Sequence, residues 1–231
     1  MATPISNVMI NNLGDQNSIL NQFVLEIRDE KLQKDSMRFR RNLERVGEVM
    51  AYEISKTLSY QSIEVRTPLA TAEVQVAREP LVLATILRAG LPIHQGFLNF
   101  FDRAENAFIS AYREYEKDGT FHIRFEHISS PSVQKKVVIL CDPMIATGAS
   151  ILLAYKALLE KGTPTHVHIA ALIASKEGIE YLRKNLPMKK TTIWVAAIDD
   201  ELTSKAYIVP GLGDAGDLAY GSKTSEGVEH F

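Results

Sequence analysis

A single cysteine, Cys141, leaves this chain without the means for an intrachain disulfide, and no CxxC pair offers zinc or redox chemistry. It ends an apolar run, where a buried, inert thiol is expected. No apolar stretch approaches the roughly 20 residues that a membrane span requires. The N-terminus "MATPISNVMINNLGDQ" also lacks a charged segment followed by an apolar one. The cytoplasm is therefore the expected address, with no membrane partner. Charge of one sign is lacking too: 26 Lys+Arg face 28 Asp+Glu, and no Lys/Arg block marks a nucleic-acid footprint. Any anionic ligand must be met by a local site. Internal repeats and low-complexity tracts are absent. With 45% hydrophobic and 23% charged residues, the 231 residues suit one globular domain with a substantial core.

What is there begins with residues 1–17, polar and rich in Asn, which read as an extended arm that orders only against something else. Residues 18–231 read as a single domain. "DSMRFRRNLERVGEVMAYEISKTL" spaces Phe39, Leu43, Val46, Met50 and Ile54 by three and four, which predicts a helix with Asp35 or Ser36 as N-cap. Arg38, Arg40 and Arg41 read as its solvated face, partnered by Glu44 and Glu48, rather than as nucleic-acid contacts. "SIEVRTP" and "ATAEVQVA" alternate like half-exposed strands joined by a proline turn, whereas "LVLATI" is continuous, as in a strand buried on both faces. A helix over 91–101 and the strand "AFISAYREY" follow. Asp118-Gly119 between alternating residues signals a β-hairpin, and residues 112–127 read as a flap.

The apolar strands "VVILC", "HVHIAALIA" and "TTIWVAAI" alternate with the helical patterns "GASILLAYKALLEKG" and "SKEGIEYLRKNL". This predicts an α/β fold, a mainly parallel twisted sheet with helices on both faces. "AYIVPGLGDAGDLAYG" is too rich in Gly and Asp for a core element, and residues 207–218 read as a shaped loop.

Ligands bind an open parallel sheet beyond the carboxyl ends of its strands. Asp142 stands at one such end, its direction restrained by Pro143. Ala146, Thr147, Gly148, Ala149 and Ser150 then turn into a helix, whose first N–H groups lack internal partners and can bind a phosphate, with the two hydroxyls adding donors. A GxxxxGKS or GxxxxGKT loop is absent, which disfavours a nucleoside triphosphatase. An ordinary strand-to-helix turn would explain the small residues, but not the acid and proline beside them. A phosphorylated sugar suits both halves: Asp142 accepts from ribose hydroxyls while the turn holds the 5-phosphate. Arg88, between a buried strand and Ala89-Gly90, is either a structural ion pair or a cationic fork for a polyanion. Arg113, on the flap strand, is either a solvated charge or a second such contact. Pro210 and the glycines of "YIVPGLGDAGD" make either a surface turn or a loop whose main chain meets a flat ligand.

"VVILCDPMIATGAS" resembles the 5-phosphoribosyl 1-pyrophosphate (PRPP) signature of the type I phosphoribosyltransferases. Its Asp-Pro, in place of two adjacent acids, is similar to the uracil phosphoribosyltransferases in particular. "ILRAGL" resembles that family's pyrophosphate loop, "SAYREY" its second arginine segment, "FRRNLERVGEVMAYEISKTL" its "FR…YE" segment and "YIVPGLGDAGD" its base loop. The likeness spans roughly residues 18–223.

The resemblance implies transfer of the phosphoribosyl group of PRPP to N1 of uracil, giving UMP and pyrophosphate, with Mg2+ carried mainly by PRPP. It implies that Arg88 and Arg113 contact the leaving pyrophosphate. Asp142, Pro143, Met144, Ile145 and residues 146–150 would hold PRPP. Ile208, Gly213 and Ala215 would read uracil through their main chain, with Tyr207 lining the pocket. Asp214 would lie between base and PRPP, completing a catalytic set with Arg88 and Arg113. For some members the resemblance also implies activation by GTP and assembly as homodimers or homotetramers. Ala149 stands where a second glycine is common, and Leu218 where the family usually has Lys or Arg. A non-catalytic PRPP- or UMP-binding regulator is the alternative from another class; a purine phosphoribosyltransferase is the alternative by substrate.

Overall fold

The computed structural model describes residues 9–115, 121–187 and 189–222. In chain order its first elements are β1 (Met9–Asn12), α1 (Leu20–Arg28), α2 (Ser36–Ser55), β2 (Tyr60–Arg66), β3 (Thr71–Ala77), β4 (Leu81–Leu87), α3 (Leu91–Phe100) and β5 (Glu105–Tyr115). There follow β6 (Phe121–Ser129), β7 (Val137–Cys141), β8 (Met144–Ile145), α4 (Ala149–Leu159), β9 (His166–Ser175) and α5 (Lys176–Asn185). The chain then passes through β10 (Thr191–Asp199), β11 (Glu201–Leu202), β12 (Ile208–Val209) and α6 (Ala215–Tyr220).

The main sheet runs β1-β10-β9-β7-β4-β5-β6, with β8 beside β9, and every pairing is parallel except β5 with β6. Continuous apolar runs make central strands because both faces are covered. In β4, Val82, Ala84 and Ile86 enter the core under α4 and α5, while Leu83 enters the core under α1, α2 and α3. Cys141 is buried, donates to the Ala84 carbonyl at 3.3 Å, and has its thiol pushed up to about 12 by burial. It is the inert thiol expected.

From β4 the chain moves through α3 to β5 on one side; after β6 it returns to β7 on the other side. Strand order thus reverses between β4 and β7, whose carboxyl ends release Arg88 and Asp142. A crevice opens where neighbouring connections diverge in this way.

Several elements depart from the sequence reading. Residues 9–12 of the expected arm add a parallel strand to β10, with Met9 opposite Thr192 and Asn12 opposite Val195. α1 is absent from the reading, although Leu20, Phe23, Val24 and Ile27 carry the helical spacing that buries Leu20 and Ile27. β2 and β3 form the predicted hairpin, but all of β2 and most of β3 are exposed, so their alternation marks no buried face. Residues 215–220 are a helix rather than loop, short but capped by Asp214 and packed through Ala215 and Ala219.

α2 follows expectation: Asp35 accepts from the Arg38 N–H at 3.0 Å, and Phe39, Leu43, Val46, Met50 and Ile54 are buried. Arg41 pairs with Glu44 at 2.6 Å and reaches Glu48 at 3.5 Å. Arg38 and Arg40 serve other elements instead. Arg38 binds Glu26 of α1 through two bonds of 2.8 Å, and Arg40 donates to the Ala219 carbonyl of α6 at 2.6 Å.

Candidate active site

A cleft of about 340 Å³ lies at the strand-order reversal, and four chain segments meet in it. β4 contributes Ile86, Leu87, Arg88 and Ala89; the segment after β7 contributes Asp142 through Gly148 with Ser150 and Ile151. The chain from beyond β11 into the first turn of α6 supplies Tyr207, Gly213, Asp214, Ala215, Gly216 and Asp217, and β5 supplies Ala111.

Arg88 follows a cis Leu87–Arg88 peptide. One guanidinium nitrogen lies 3.5 Å from Asp217 and donates to the Gly221 carbonyl at 3.2 Å, while the buried Nε has no hydrogen-bond partner. An exposed, long ion pair of this kind contributes little stability. The ion pair foreseen as one option for Arg88 is therefore present, with the residue itself on the cleft wall.

The phosphate-cradle segment is shaped by its two ends. The Asp142 N–H donates to Ala170 at 3.2 Å, and Met144–Ile145 pair with β9 as β8. Gly148 then turns with φ of 79° into the first turn of α4, where the Thr147 hydroxyl accepts from the Ala149 N–H at 3.4 Å. Behind the loop stands the start of the expected helix α5, whose contact with the loop sequence reasoning missed. The buried Ser175 hydroxyl donates to the Ala146 carbonyl at 2.5 Å and accepts from the Gly178 N–H at 2.8 Å. A Cβ on Gly178 would stand 2.3 Å from the Ala146 oxygen, so the close approach requires glycine. The visible signal was a Ser three residues before a Gly at a helix start.

The 207–217 segment is held at Gly211 by Asp199 at the end of β10 and Arg28 at the end of α1, neither of them foreseen. The Val209–Pro210 peptide is cis. Asp214 caps α6, accepting from the Asp217 N–H at 3.0 Å.

Of the residues singled out from the sequence, Arg88, Asp142, Pro143, Met144, Ile145, Ala146, Thr147, Gly148, Ser150, Tyr207, Gly213, Asp214 and Ala215 all line this cleft. Ala149 and Ile208 do not: Ala149 is the first residue of α4, and the Ile208 side chain is buried in the core. Arg113 lies on β5 opposite Ile123, beyond the last β4–β5 pair at Leu87 and Ser110. Its side chain, and the Asp118-Gly119 turn, lie outside the described residues. Asp217 and Gly216 are cleft residues that the sequence reading assigned no role.

Comparison with known proteins agrees with this geometry. The profile of the uracil phosphoribosyltransferase family matches residues 15–222. A curated uracil phosphoribosyltransferase of Porphyromonas gingivalis is 59% identical over 211 residues, covering 91% of this chain and 97% of its own length. One from Pyrococcus furiosus is 38% identical and covers 86% of each chain. A solved protein from Aquifex aeolicus superposes with a TM-score of 0.81 at 30% identity, covering 94% of this chain and 100% of its own. A cleft placed where the family motifs converge, and likeness along nearly the whole length, lead to one assignment: this chain belongs to the uracil phosphoribosyltransferase family.

Proposed function

We propose that the chain transfers the phosphoribosyl group of PRPP to N1 of uracil, releasing UMP and pyrophosphate. The observation that carries this reading is the single cleft holding Arg88, Asp142, the 143–150 turn and the 207–217 segment together. The bond from ribose C1 to the pyrophosphate oxygen breaks as the bond to uracil N1 forms, and the N1 proton departs. No side-chain nucleophile takes part, so catalysis rests on positioning and on stabilising charge.

Each wall has a part in this reading. The turn at 146–150 seats the 5-phosphate on the first N–H groups of α4, and Asp142 accepts from the ribose hydroxyls. Arg88 turns its guanidinium, held only by an exchangeable pair with Asp217, toward the departing pyrophosphate, with Arg113 adding a second cation. Gly213, Ala215 and Ile208 present main-chain groups to the uracil edge beside Tyr207, and Asp214 stands between base and ribose to take up the N1 proton. The hairpin of β5 and β6 projects past the sheet and screens the reacting centre from water.

Among the described residues no three His, Cys, Asp or Glu side chains gather closely enough to hold a metal ion. The carboxylates of Asp142 and Asp214 are hard oxygen donors on the cleft wall, a set that suits a Mg2+ ion bringing most of its ligands with PRPP. When bound, Mg2+ neutralises charge on the leaving pyrophosphate.

A cytoplasmic address belongs to the same reading; no helix among the described residues is long and apolar enough to cross a membrane. Homodimer or homotetramer assembly and activation by GTP are further parts of it. The test is pyrophosphate release from PRPP and Mg2+ with uracil, cytosine, hypoxanthine or guanine, with and without GTP, alongside sedimentation of the protein. Turnover with uracil alone is expected. Turnover with a purine, or PRPP binding without pyrophosphate release on adding uracil, would overturn the reading.

A further inference from the structure

A loop that reads a base through its own main chain must hold its N–H and C=O groups to within about half an ångström, yet glycine-rich backbone has little rigidity of its own. The 207–217 segment receives that rigidity from outside. Arg28 binds both oxygens of Asp199 at 2.7 and 2.8 Å, and Asp199 is 7% exposed. The pair then takes up both backbone groups of Gly211. Asp199 Oδ2 accepts from the Gly211 N–H at 2.9 Å, and Arg28 Nη1 donates to the Gly211 carbonyl at 3.1 Å. One residue on, the Gln33 amide, oriented with its nitrogen inward, donates to the Leu212 carbonyl at 2.8 Å and to the Ile27 carbonyl at 3.1 Å.

Upstream, Leu202 pairs with Ile208 and the Thr203 N–H donates to the Tyr207 carbonyl at 2.8 Å, in a small ladder that begins two residues after Asp199. Asp199 is thus the pivot from which the sheet holds both sides of the turn. Two residues beyond Gly211 the chain enters the cleft at Gly213.

We propose that Arg28 and Asp199 are positioning residues for the base, a half-buried fork that sets the main chain of residues 207–215 for uracil and leaves the PRPP wall untouched. This rests on the reading of that segment as the uracil loop. A lysine at position 28 cannot reproduce the planar fork, so charge alone will not preserve the effect.

Initial rates would be measured for Arg28→Gln, Arg28→Lys and Asp199→Asn, varying uracil at saturating PRPP and the reverse, with thermal melting of each protein. The uracil KM is expected to rise about tenfold or more, by loss of charge-assisted bonds to the loop, with the PRPP KM within about twofold. Arg28→Lys, which keeps one donor, should lie between wild type and Arg28→Gln. Arg38→Gln removes a comparable two-bond pair, Arg38 with Glu26, away from the cleft; it should lower melting without moving the uracil KM. Gly213→Ala, at φ of 93° in the loop itself, tests the underlying assignment. If Gly213→Ala leaves the uracil KM unchanged, the loop is not the base reader and the proposal falls with it. If Gly213→Ala raises it while the Arg28 and Asp199 variants only lower melting, or shift both KM values together, the positioning role alone is wrong. Should Arg28→Gln and Asp199→Asn fail to fold, Arg28→Lys and Gln33→Leu, each removing part of the clamp, carry the same test.

Discussion

Arg88 and Asp214 each have a structural partner and a site to face, and substitutions can part the two. The Arg88 head group rests on Asp217 and the Gly221 carbonyl at 3.5 and 3.2 Å, contacts long enough to yield to a ligand oxygen. Arg88→Lys keeps the charge and loses the fork. Steady-state assays are expected to find kcat/KM reduced about tenfold or more, and about a hundredfold for Arg88→Ala, because each removed donor acts on developing charge. Asp214 caps α6 through one oxygen. Asparagine caps a helix as well as aspartate does. Asp214→Asn should therefore melt like wild type while kcat falls about tenfold or more, by loss of a proton acceptor. Asp214→Ala should lose the cap too, at about 1 kcal/mol in chemical denaturation. Equal kcat in Asp214→Asn and wild type would remove Asp214 from the chemistry.

At the scale of elements, α5 braces the 146–150 turn from behind the cleft. Ser175 and Gly178 press on the Ala146 carbonyl, and a methyl at Gly178 would meet that oxygen at 2.3 Å. Gly178→Ala must displace the turn, so the PRPP KM is expected to rise several-fold with the uracil KM little changed, the mirror of the pattern expected for Arg28. Which elements were legible follows from how each is stabilised. β4, β7, β9 and β10 are buried on both faces and spell themselves as apolar runs. α2 has an apolar stripe and a cap within its own residues. β1 and α6 do not: β1 gains its ladder from β10, and α6 is only six residues long with a glycine in its first turn, holding through the Asp214 cap and through packing of Ala215 and Ala219. Local sequence reports local causes, and those two elements owe their form to distant ones.

The whole molecule keeps His94 and His168 buried in its core, and they contribute to its response to acid. His168 is buried, takes a hydrogen bond from the Trp194 indole at 3.1 Å, and is lowered to about 3 by burial and by neighbouring His166, whose ring centroid is 4.5 Å away. A histidine with a depressed folded pKa stays neutral while the unfolded chain takes up a proton. Its contribution is complete above the ordinary value of 6.5 and is lost as pH falls from there toward about 3. His94 and His166, also lowered by burial, act in the same direction. Thermal midpoints measured across that window should fall with acidification, and His168→Phe should have the shallower slope; equal slopes would show that His168 does not set it. The same long-range logic separates what could be read from what could not. Residue chemistry along the chain determined the parallel sheet, the acid beside a phosphate-sized turn, the lone inert thiol and the family motifs, because period, burial and turn chemistry are written within a few neighbouring residues. Only the tertiary structure decided that strand order reverses between Arg88 and Asp142, that Ser175 and Gly178 brace the 146–150 turn, and that Arg28 and Asp199 clamp Gly211 of the 207–217 segment. Those pairings join residues up to 183 positions apart, and contact across such a separation is settled by how the elements pack, a property no local window contains.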